Sequence, residues 1–413
     1  MLEIANPFAD YGAIVSGNRF IGRTHQLLQI QRRVIENGSN LSIVGERRVG
    51  KSSLAHQALI VQANELHKQG IVPVWIDTAT YGDPHHLFCG IVKWCFWELE
   101  DCLMLSRELR DAAQAVHGDP ARFDYDQVQF FFQQIHRRGL RIVLVFDEFD
   151  HVGDIFRTEP NTFHQLSAMC NRHQSTIVTV SRRSVRVLEQ RAGADTPFAR
   201  TFEPCYVGMF TPDEMEQVII RIVRAGLALS QNDITQIHEH CGGHPFLFDM
   251  VASALIEHFR SKACIDTDVA IDQNAAQIYE YYEDLVERLD ADGWLALIQA
   301  LIHGEPVIPD DIPPELQKYE IVWPGGNGKY VTFSHHFKRY LDRIRPRQEG
   351  ELTKRELDIL RLLALGRQNK EIARALSISP NTVKFHVTNL CTKLGAANRG
   401  EAAARARELQ LIP

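Results

Sequence analysis

One short stretch of this 413-residue chain has the residue types and the spacing to bind phosphate groups. It follows the pattern G-x-x-x-x-G-K-[ST] and reads Gly45-Glu46-Arg47-Arg48-Val49-Gly50-Lys51-Ser52. The glycines let successive backbone N–H groups surround a β-phosphate, which also lies at the positive end of the following helix. The Lys51 ammonium would reach the β- and γ-phosphates, and the Ser52 hydroxyl would be a ligand of Mg²⁺. The alternative is a chance match in a surface loop, but the pattern lies between a predicted strand and a predicted helix and so predicts nucleoside triphosphate binding.

A second stretch supplies the acidic groups that such a site needs. Five apolar residues, 142–146, end in Asp147 and Glu148, which predicts a buried parallel strand with carboxylates at its carboxyl end. Ligands of open α/β sheets bind at that end. We expect Asp147 to complete the Mg²⁺ shell and Glu148 to polarise an attacking water. The alternative is a strand end with two solvated acids.

A third stretch ends in a cation. Residues 175–180 form an apolar and β-branched run that predicts another strand, followed by Arg182 and Arg183. Arg182 at the tip of this strand could bind a γ-phosphate as a bidentate donor, or it could be a solvated charge. The predicted catalytic groups are therefore Lys51, Glu148 and Arg182.

The elements that must position these groups are read from the apolar pattern. Buried runs alternating with helical patterns predict a parallel sheet with helices on both faces. Helical patterns dominate from about residue 210, and two strands flank a glycine-rich turn near residue 326, which predicts a winged-helix module. The predicted fold class is multidomain α/β plus α. Its predicted parts are a P-loop nucleotide-binding domain, a helical lid, a winged-helix domain and a four-helix helix-turn-helix domain, at 1–207, 208–272, 273–345 and 346–413.

Composition narrows the class of protein. The chain is 45% hydrophobic and 23% charged, as is usual for a globular protein. It has no apolar run long enough to span a bilayer and no signal peptide pattern at its start. Its eight cysteines are scattered without a C-x-x-C pair, which favours reduced thiols over a zinc site. We therefore expect a cytoplasmic location and no membrane partner.

Charge is distributed unevenly along the chain. The formal net charge is −7, but residues 347–413 carry twelve Lys and Arg against seven Asp and Glu, a net +5, so the remainder carries −12. A basic C-terminal segment on an acidic protein indicates a separate nucleic-acid partner for that segment.

The last sixty residues predict a helix-turn-helix. Ser379 and Pro380 are an N-cap and first-turn pair, and the helix that follows has apolar residues at Val383, Val387, Leu390 and Leu394. The opposite face is suited to the major groove of double-stranded DNA. We expect base contacts from Lys384, Phe385 and Thr388. We expect phosphate contacts from Lys370, Thr382, Asn389 and Lys393. The alternative is a small helical bundle with a solvated face.

This C-terminal segment resembles the LuxR-type helix-turn-helix. The resemblance covers residues 350–413 and rests on Leu352–Glu356, Gly366–Ala373 and Ser379–Val387, followed by Lys393-Leu394-Gly395 and Arg399. One departure is Gln368, where the family usually has a serine or threonine that caps the second helix. We expect Asn369 to provide that cap instead.

Residues 1–345 resemble the signal-transduction ATPases with numerous domains (STAND), near the archaeal-type and Orc-like ATPases of the AAA+ superfamily. The matching motifs are Phe20-Ile21-Gly22-Arg23, the loop Gly45–Leu54, Thr179-Val180-Ser181-Arg182 and Gly243-His244-Pro245. In relatives the proline of the last motif lies against the base, and a winged-helix histidine contacts the β-phosphate of ADP. The loop pattern and the resemblance together imply nucleotide contacts from Gly22, Arg23, Gly45, Arg48, Val49, Gly50, Lys51, Ser52, Ser53, Pro245 and His335.

These features predict an ATP/ADP-switched transcription regulator. ADP would hold the body closed, and ATP would open it and produce a homo-oligomer with several helix-turn-helix modules on DNA. Hydrolysis would be slow and would reset the switch. The alternative is an AAA+ ATPase that remodels or loads on DNA, with the helix-turn-helix as a tether. A third option is an NTP-dependent defence or scaffold protein. No motif identifies the inducing signal or a partner protein.

Overall fold

The computed structural model of this chain describes residues 5–117, 123–157, 159, 161–170, 175–194, 196–291, 293–304, 307, 312–325, 329–344, 352, 354–376, 380–409 and 411–412. The chain divides into two compact units, Met1–Phe337 and Lys338–Pro413. The finer predicted boundaries at 207/208, 272/273 and 345/346 stay predictions.

A five-stranded parallel sheet forms the centre of the first unit. Its strands are β1 (Leu41–Gly45), β2 (Ile71–Asp77), β3 (Arg141–Asp147), β4 (Ser175–Ser181) and β5 (Glu203–Val207). They lie in the order β2-β3-β4-β1-β5. Strands β1, β3 and β4 are almost wholly buried, as expected for a parallel sheet covered on both faces. The predicted α/β class is confirmed.

The register of the sheet brings the three functional stretches to one edge. Val44 of β1 pairs with Ser181 of β4, and Asp77 of β2 pairs with Asp147 of β3. Because β4 lies between β1 and β3, the phosphate loop, Arg182 and the two acids all follow adjacent strand ends. Parallel strands place their carboxyl ends together, which is why ligands bind there.

Strand β5 was not predicted. It is short, contains Pro204 and pairs only with β1, from Leu41↔Glu203 to Gly45↔Val207. Proline is tolerated at an edge because no second neighbour needs its missing N–H. The proline and the partly exposed side chains hid the strand pattern.

Nine helices of the described chain surround the sheet. They are α1 (Thr24–Ile30), α2 (Lys51–Ala55), α3 (Ala63–His67), α4 (Pro84–Asp101), α5 (Arg107–His117), α6 (Tyr125–Arg137), α7 (Val152–Ile155), α8 (Thr162–Cys170) and α9 (Val185–Arg191). Helices α1 and α2 continue into π-helical turns at Gln31–Glu36 and His56–Ile60. The sequence predicts a single helix after the phosphate loop, and the structure divides this stretch into α2, a π-helical turn and α3.

The rest of the first unit is mainly helical, as predicted. The helices are α10 (Pro212–Arg224), α11 (Gln231–Cys241), α12 (Pro245–Lys262), α13 (Thr267–Gln273), α14 (Ala275–Ala291), α15 (Leu295–His303) and α16 (Pro314–Lys318). Helix α17 (His335–Ile344) begins in the first unit, and its residues from Lys338 onward belong to the second. A capping box of Thr211 and Glu214 begins α10. Strands β6 (Val322–Pro324) and β7 (Tyr330–Thr332) pair antiparallel as the predicted hairpin requires, and residues 326–328 of its turn lie outside the described residues.

Besides the end of α17, the second unit contains four described helices, which surround one small core. They are α18 (Lys354–Ala364), α19 (Asn369–Leu376), α20 (Pro380–Lys393) and α21 (Arg399–Glu408). The apolar face predicted for α20 is confirmed, since Val383, Leu390 and Leu394 are buried in this core and Val387 packs against it. The predicted cap Ser379 lies outside the described residues.

In the described part of the chain, no helix combines the length and apolar composition needed to cross a bilayer. Seven cysteines are free thiols, at positions 89, 95, 102, 205, 241, 264 and 391.

Candidate nucleotide-binding site and nucleic-acid interface

The phosphate loop joins β1 to α2 in a conformation that its glycines permit. A Cβ at Gly45 would overlap the Val207 carbonyl of β5, so only glycine allows the two strands to approach. Gly50 at the start of α2 has φ 93°. Lys51 is half-buried, and its ammonium donates to the Glu46 carbonyl at 2.8 Å. Burial lowers the pKa of Lys51, opposed by the nearby Glu46 carboxylate.

The acidic end of β3 contacts the start of α2. The Ser52 hydroxyl donates to Asp147 Oδ1 at 2.9 Å, and burial raises the pKa of Asp147. Glu148 is exposed with φ 50°, a left-handed conformation that is uncommon for this residue type and often found at functional sites. The Thr78 hydroxyl lies 2.7 and 2.6 Å from the carbonyl oxygens of Asp147 and Glu148. Thr78 was not predicted, because only the β2–β3 register reveals its position.

Arg182 is held through its backbone. Its N–H donates to Asp150 Oδ2 at 2.6 Å, and its carbonyl accepts from the Tyr319 hydroxyl at 2.9 Å. The Arg182 and Arg183 side chains also lie 3.9 and 3.8 Å from Asp150. Asp150 is thus the carboxylate that positions the arginine pair.

A cavity of about 600 Å³ brings most of the predicted site residues together, and its volume is suited to a small-molecule cofactor. The predicted residues that line it are Arg23, Arg48, Val49, Gly50, Lys51, Ser52, Ser53, Asp147, Glu148, Arg182 and Pro245. Gly22, Gly45 and His335 are not among its lining residues. His335 is exposed at the start of α17, and its predicted phosphate contact stays a prediction.

The Gly22-Arg23 pair joins the loop before α1 to helix α10. Arg23 is only 5% exposed, and its guanidinium donates to the carbonyls of Gly208, Met209 and Val49 at 2.8, 3.0 and 3.1 Å. Its backbone N–H donates to Glu214 Oε1 at 2.5 Å. A Cβ at Gly22 would overlap this carboxylate, and Gly22 has φ 61°. Arg23 therefore contacts the phosphate loop through Val49, and Gly22 allows the close approach of Glu214 beside it.

The cavity wall also has apolar and aromatic parts. Residues 12–15 and Phe20-Ile21 line it together with Pro245 and Phe246 of α12. The Arg48 guanidinium lies over the Phe246 ring at 4.1 Å, a cation–π contact that joins the phosphate loop to α12. Phe246 was not predicted, although it adjoins the predicted Pro245.

Helix α14 is bonded to the phosphate loop. Glu46 forms an ion pair with Arg288, and the two side chains are only 3% and 9% exposed. Arg47 forms a second, exposed pair with Asp284 at 2.8 Å. Beside them the fully buried His244 ring lies 4.7 Å from the Tyr281 ring, and burial lowers the pKa of His244 to about 3. His244 is therefore neutral at physiological pH.

In the second unit, α20 displays part of the predicted DNA-contacting set. Lys384 and Thr388 are exposed on α20, and Lys370 is exposed on α19. Lys393 instead pairs with the buried Glu356 of α18 at 2.7 Å. The predicted side chains of Thr382, Phe385 and Asn389 lie outside the described residues.

The start of α19 differs from the expected cap. The Gln368 N–H donates to Glu371 Oε2 at 2.8 Å, which is the reciprocal half of a capping box. The Asn369 side chain accepts from Arg399 Nη1 at 3.4 Å. Asn369 therefore connects α19 to α21.

Two family models match this chain. The parallel sheet with its phosphate loop is that of a P-loop NTPase, and residues 14–283, more than half of the chain, match the model described as "Novel STAND NTPase 1". Residues 350–406 match "Bacterial regulatory proteins, luxR family". The chain belongs to the novel STAND NTPase 1 family and carries a C-terminal luxR-family domain. Both predicted resemblances are confirmed.

Curated relatives match through shorter segments. The uncharacterized transcriptional regulatory protein YhcZ of Bacillus subtilis is 43% identical over 100 residues, covering 23% of this chain and 46% of that protein. The transcriptional regulatory protein LiaR of Bacillus subtilis is 49% identical over 61 residues, covering 15% and 29%. The chain thus spans less than half the length of these relatives.

Among solved structures, a Walker-type ATPase of Pyrococcus abyssi is similar with a TM-score of 0.51. The sequence identity is 13%, and the match covers 81% of this chain and 99% of that one. At this identity the likeness concerns the fold alone.

Proposed function

We propose that this protein is a DNA-binding transcription regulator whose first unit is switched by ATP and ADP. The NTPase family, the luxR-family domain and the regulatory relatives support the general class. The contacts of the described residues support the particular switch.

The phosphates would bind at the loop. Lys51 would exchange its bond to the Glu46 carbonyl for β- and γ-phosphate oxygens, and the N–H groups of Val49 and Gly50 would surround the β-phosphate. Arg23 and Gly22 would act by positioning this loop, and Pro245 would lie against the base.

Ser52 and Asp147 have the chemistry of a magnesium site. Their oxygens lie 2.9 Å apart at the cavity wall, and hydroxyl and carboxylate oxygens are hard ligands of the kind Mg²⁺ takes. No group of three or more His, Cys, Asp and Glu side chains forms a metal site among the described residues, so nucleotide oxygens and water would complete the shell. When bound, the ion would neutralise charge on the phosphates.

Hydrolysis would reset the switch. Glu148 is exposed to the cavity and would accept a hydrogen bond from the attacking water. Arg182 would stabilise charge on the γ-phosphate. We expect a slow ATPase, since the regulatory task requires a lasting state and not rapid product formation.

The observation that carries the switch proposal is the set of bonds between the helical part and the phosphate site. Arg288 and Asp284 of α14 pair with Glu46 and Arg47 of the loop, and Tyr319 bonds the Arg182 carbonyl. If ATP and ADP place the loop or Arg182 in different positions, the free energy of these bonds differs between the ATP-bound and the ADP-bound protein. That difference is what a ligand needs to shift a conformational equilibrium.

DNA binding would follow from assembly. In a nucleotide-dependent homo-oligomer, several linked helix-turn-helix modules gain affinity without new contacts. Lys384, Phe385 and Thr388 would read bases, and Lys370, Thr382, Asn389 and Lys393 would contact phosphates. Lys393 would share its ammonium with Glu356.

The test measures molecular mass in solution and affinity for double-stranded DNA with ADP and with a slowly hydrolysed ATP analogue. We expect larger mass and tighter DNA binding with the analogue alone. Lys51→Ala removes a cation from the polyphosphate site, so nucleotide affinity should fall by about 100-fold or more and the analogue should no longer change either property.

Unchanged mass and DNA affinity in the wild-type protein would contradict the switch. A genome-wide DNA pull-down distinguishes the two classes of protein. A few sharp promoter peaks support a regulator. Diffuse ATP-dependent coverage supports a loading or remodelling ATPase.

A further inference from the structure

Helix α12 places a second functional group in the nucleotide cavity. Asp249 lies four residues beyond Pro245, so both share one helix face, and both line the cavity together with Phe246. Among the described residues, Asp249 has no hydrogen bond or close ion pair. It is a carboxylate acceptor that faces a ligand-sized cavity without a protein donor.

The two arginines whose charges act on Asp249 have other partners. Arg19 pairs with Asp10 at 2.6 Å, and Arg221 donates to the carbonyls of Arg19 and Asn18 at 2.7 and 3.2 Å. Neither arginine forms a hydrogen bond or a close ion pair with Asp249 among the described residues. Burial raises the pKa of Asp249 to about 6, although Arg221 and Arg19 oppose the change.

Asp249 belongs to the end of the cavity away from the phosphate groups. The charges that act on it are Arg221, Arg19 and Asp10. The charges that act on Lys51 are a separate set, namely Glu46, Asp150, Glu148 and Arg182. A nucleotide with its phosphates at Lys51 would extend its base towards Phe246 and Asp249.

We propose that Asp249 selects the base, with its carboxyl group accepting a hydrogen bond from the exocyclic amino group of adenine. This inference rests on the proposed function, since it assumes that the cavity binds a nucleotide. Besides Arg19 and Arg221, the cavity lining includes the aromatic rings of Phe20 and Phe246, which suit the faces of a purine ring.

The acceptor character of Asp249 agrees with adenine. With a pKa of about 6, the carboxyl group is mainly ionised at pH 7 and accepts hydrogen bonds without donating any. Adenine presents an amino donor at the position where guanine and hypoxanthine present a carbonyl oxygen. That oxygen would face the carboxylate as a second acceptor.

The experiment titrates ADP, IDP and GDP into the full chain by calorimetry. The wild-type protein should bind ADP about tenfold more tightly than IDP, as expected for one hydrogen bond to a partly buried polar group. Asp249→Ala should bring the ADP to IDP ratio close to one. Asp249→Asn should also lose most of the preference, since an amide accepts from the adenine amino group but can turn and donate to the hypoxanthine carbonyl oxygen.

Asp10→Asn is the matched control, because it removes a carboxylate from the same charged group but not from the cavity wall. It should leave the ratio unchanged. An Asp249→Ala protein with the wild-type ratio would overturn the base assignment, as would a wild-type protein that binds GDP most tightly. Failure of all three nucleotides to bind would instead overturn the proposed function and this inference with it.

Discussion

The nucleotide cavity of the first unit and helix α20 of the second hold their charged side chains in opposite ways. Around the cavity, Arg23 donates to three backbone carbonyls and Arg288 pairs with Glu46, all nearly out of contact with water. On α20, Lys384 is exposed, and among the described residues its ammonium has no hydrogen bond or ion pair.

This difference separates two kinds of functional residue. A buried charge that loses its partner keeps its desolvation cost, so substitution changes folding and binding together. An exposed lysine contributes little to the free energy of unfolding, so its substitution changes binding alone. Lys393 is the informative exception on α20, because it is paired with buried Glu356.

The largest effect is expected for Arg23→Met. The methionine would fill part of the space beside Phe210 but would leave three carbonyls without their donor. It would also remove the guanidinium that lies 4.0 Å from the Glu214 carboxylate. We expect the free energy of unfolding of the first unit to fall by about 4 kcal/mol, measured by urea denaturation, with nucleotide binding lost in parallel.

Arg19→Met is the control, because its partner Asp10 is exposed and the expected loss is below about 1 kcal/mol. Equal losses in the two variants would contradict the distinction between buried and exposed charges around the cavity.

A smaller effect is expected for Arg288→Met, which leaves Glu46 buried and unpaired. The first unit should lose about 3 kcal/mol, and with ADP bound the protein should already have the mass and DNA affinity otherwise produced by the ATP analogue. Adding Glu46→Gln to Arg288→Met should restore most of the stability. It should not restore the smaller mass and weaker DNA binding of the wild-type protein with ADP.

Arg47→Met tests the same surface through its exposed pair with Asp284 and should change stability by less than about 1 kcal/mol. If Arg288→Met still requires the ATP analogue to bind DNA, the proposed link between α14 and the phosphate loop is wrong.

The smallest effect on folding is expected for Lys384→Ala. Affinity for specific DNA should fall about tenfold, while the free energy of unfolding should change by less than about 0.5 kcal/mol. Fluorescence anisotropy with specific and random duplexes measures the first quantity, and urea denaturation measures the second.

Lys393→Ala sharpens the comparison within one helix. It should lower both DNA affinity and stability, because Glu356 would remain buried without its cation. If Lys393→Ala lowers DNA affinity and leaves the free energy of unfolding unchanged, the burial of Glu356 is unimportant for stability.

The amino-acid sequence by itself determined the chemistry of the phosphate end and the class of the second unit. The residues of the phosphate loop, of the acidic pair after β3 and of the α20 face are contiguous or periodic in the sequence. Neighbouring residues therefore determine the backbone geometry that these features need. The same local rules missed β5, since a short edge strand with Pro204 has no clear pattern.

Only the tertiary structure decided which distant groups complete the site. Glu46 and Arg288 are 242 residues apart, and Arg23 is 191 residues from Glu214. Thr78, Asp150 and Asp249 look like ordinary polar residues along the chain. Whether a charged side chain faces water, a buried partner or a cavity depends on the elements packed against it, and that packing joins segments whose local sequences carry no sign of one another.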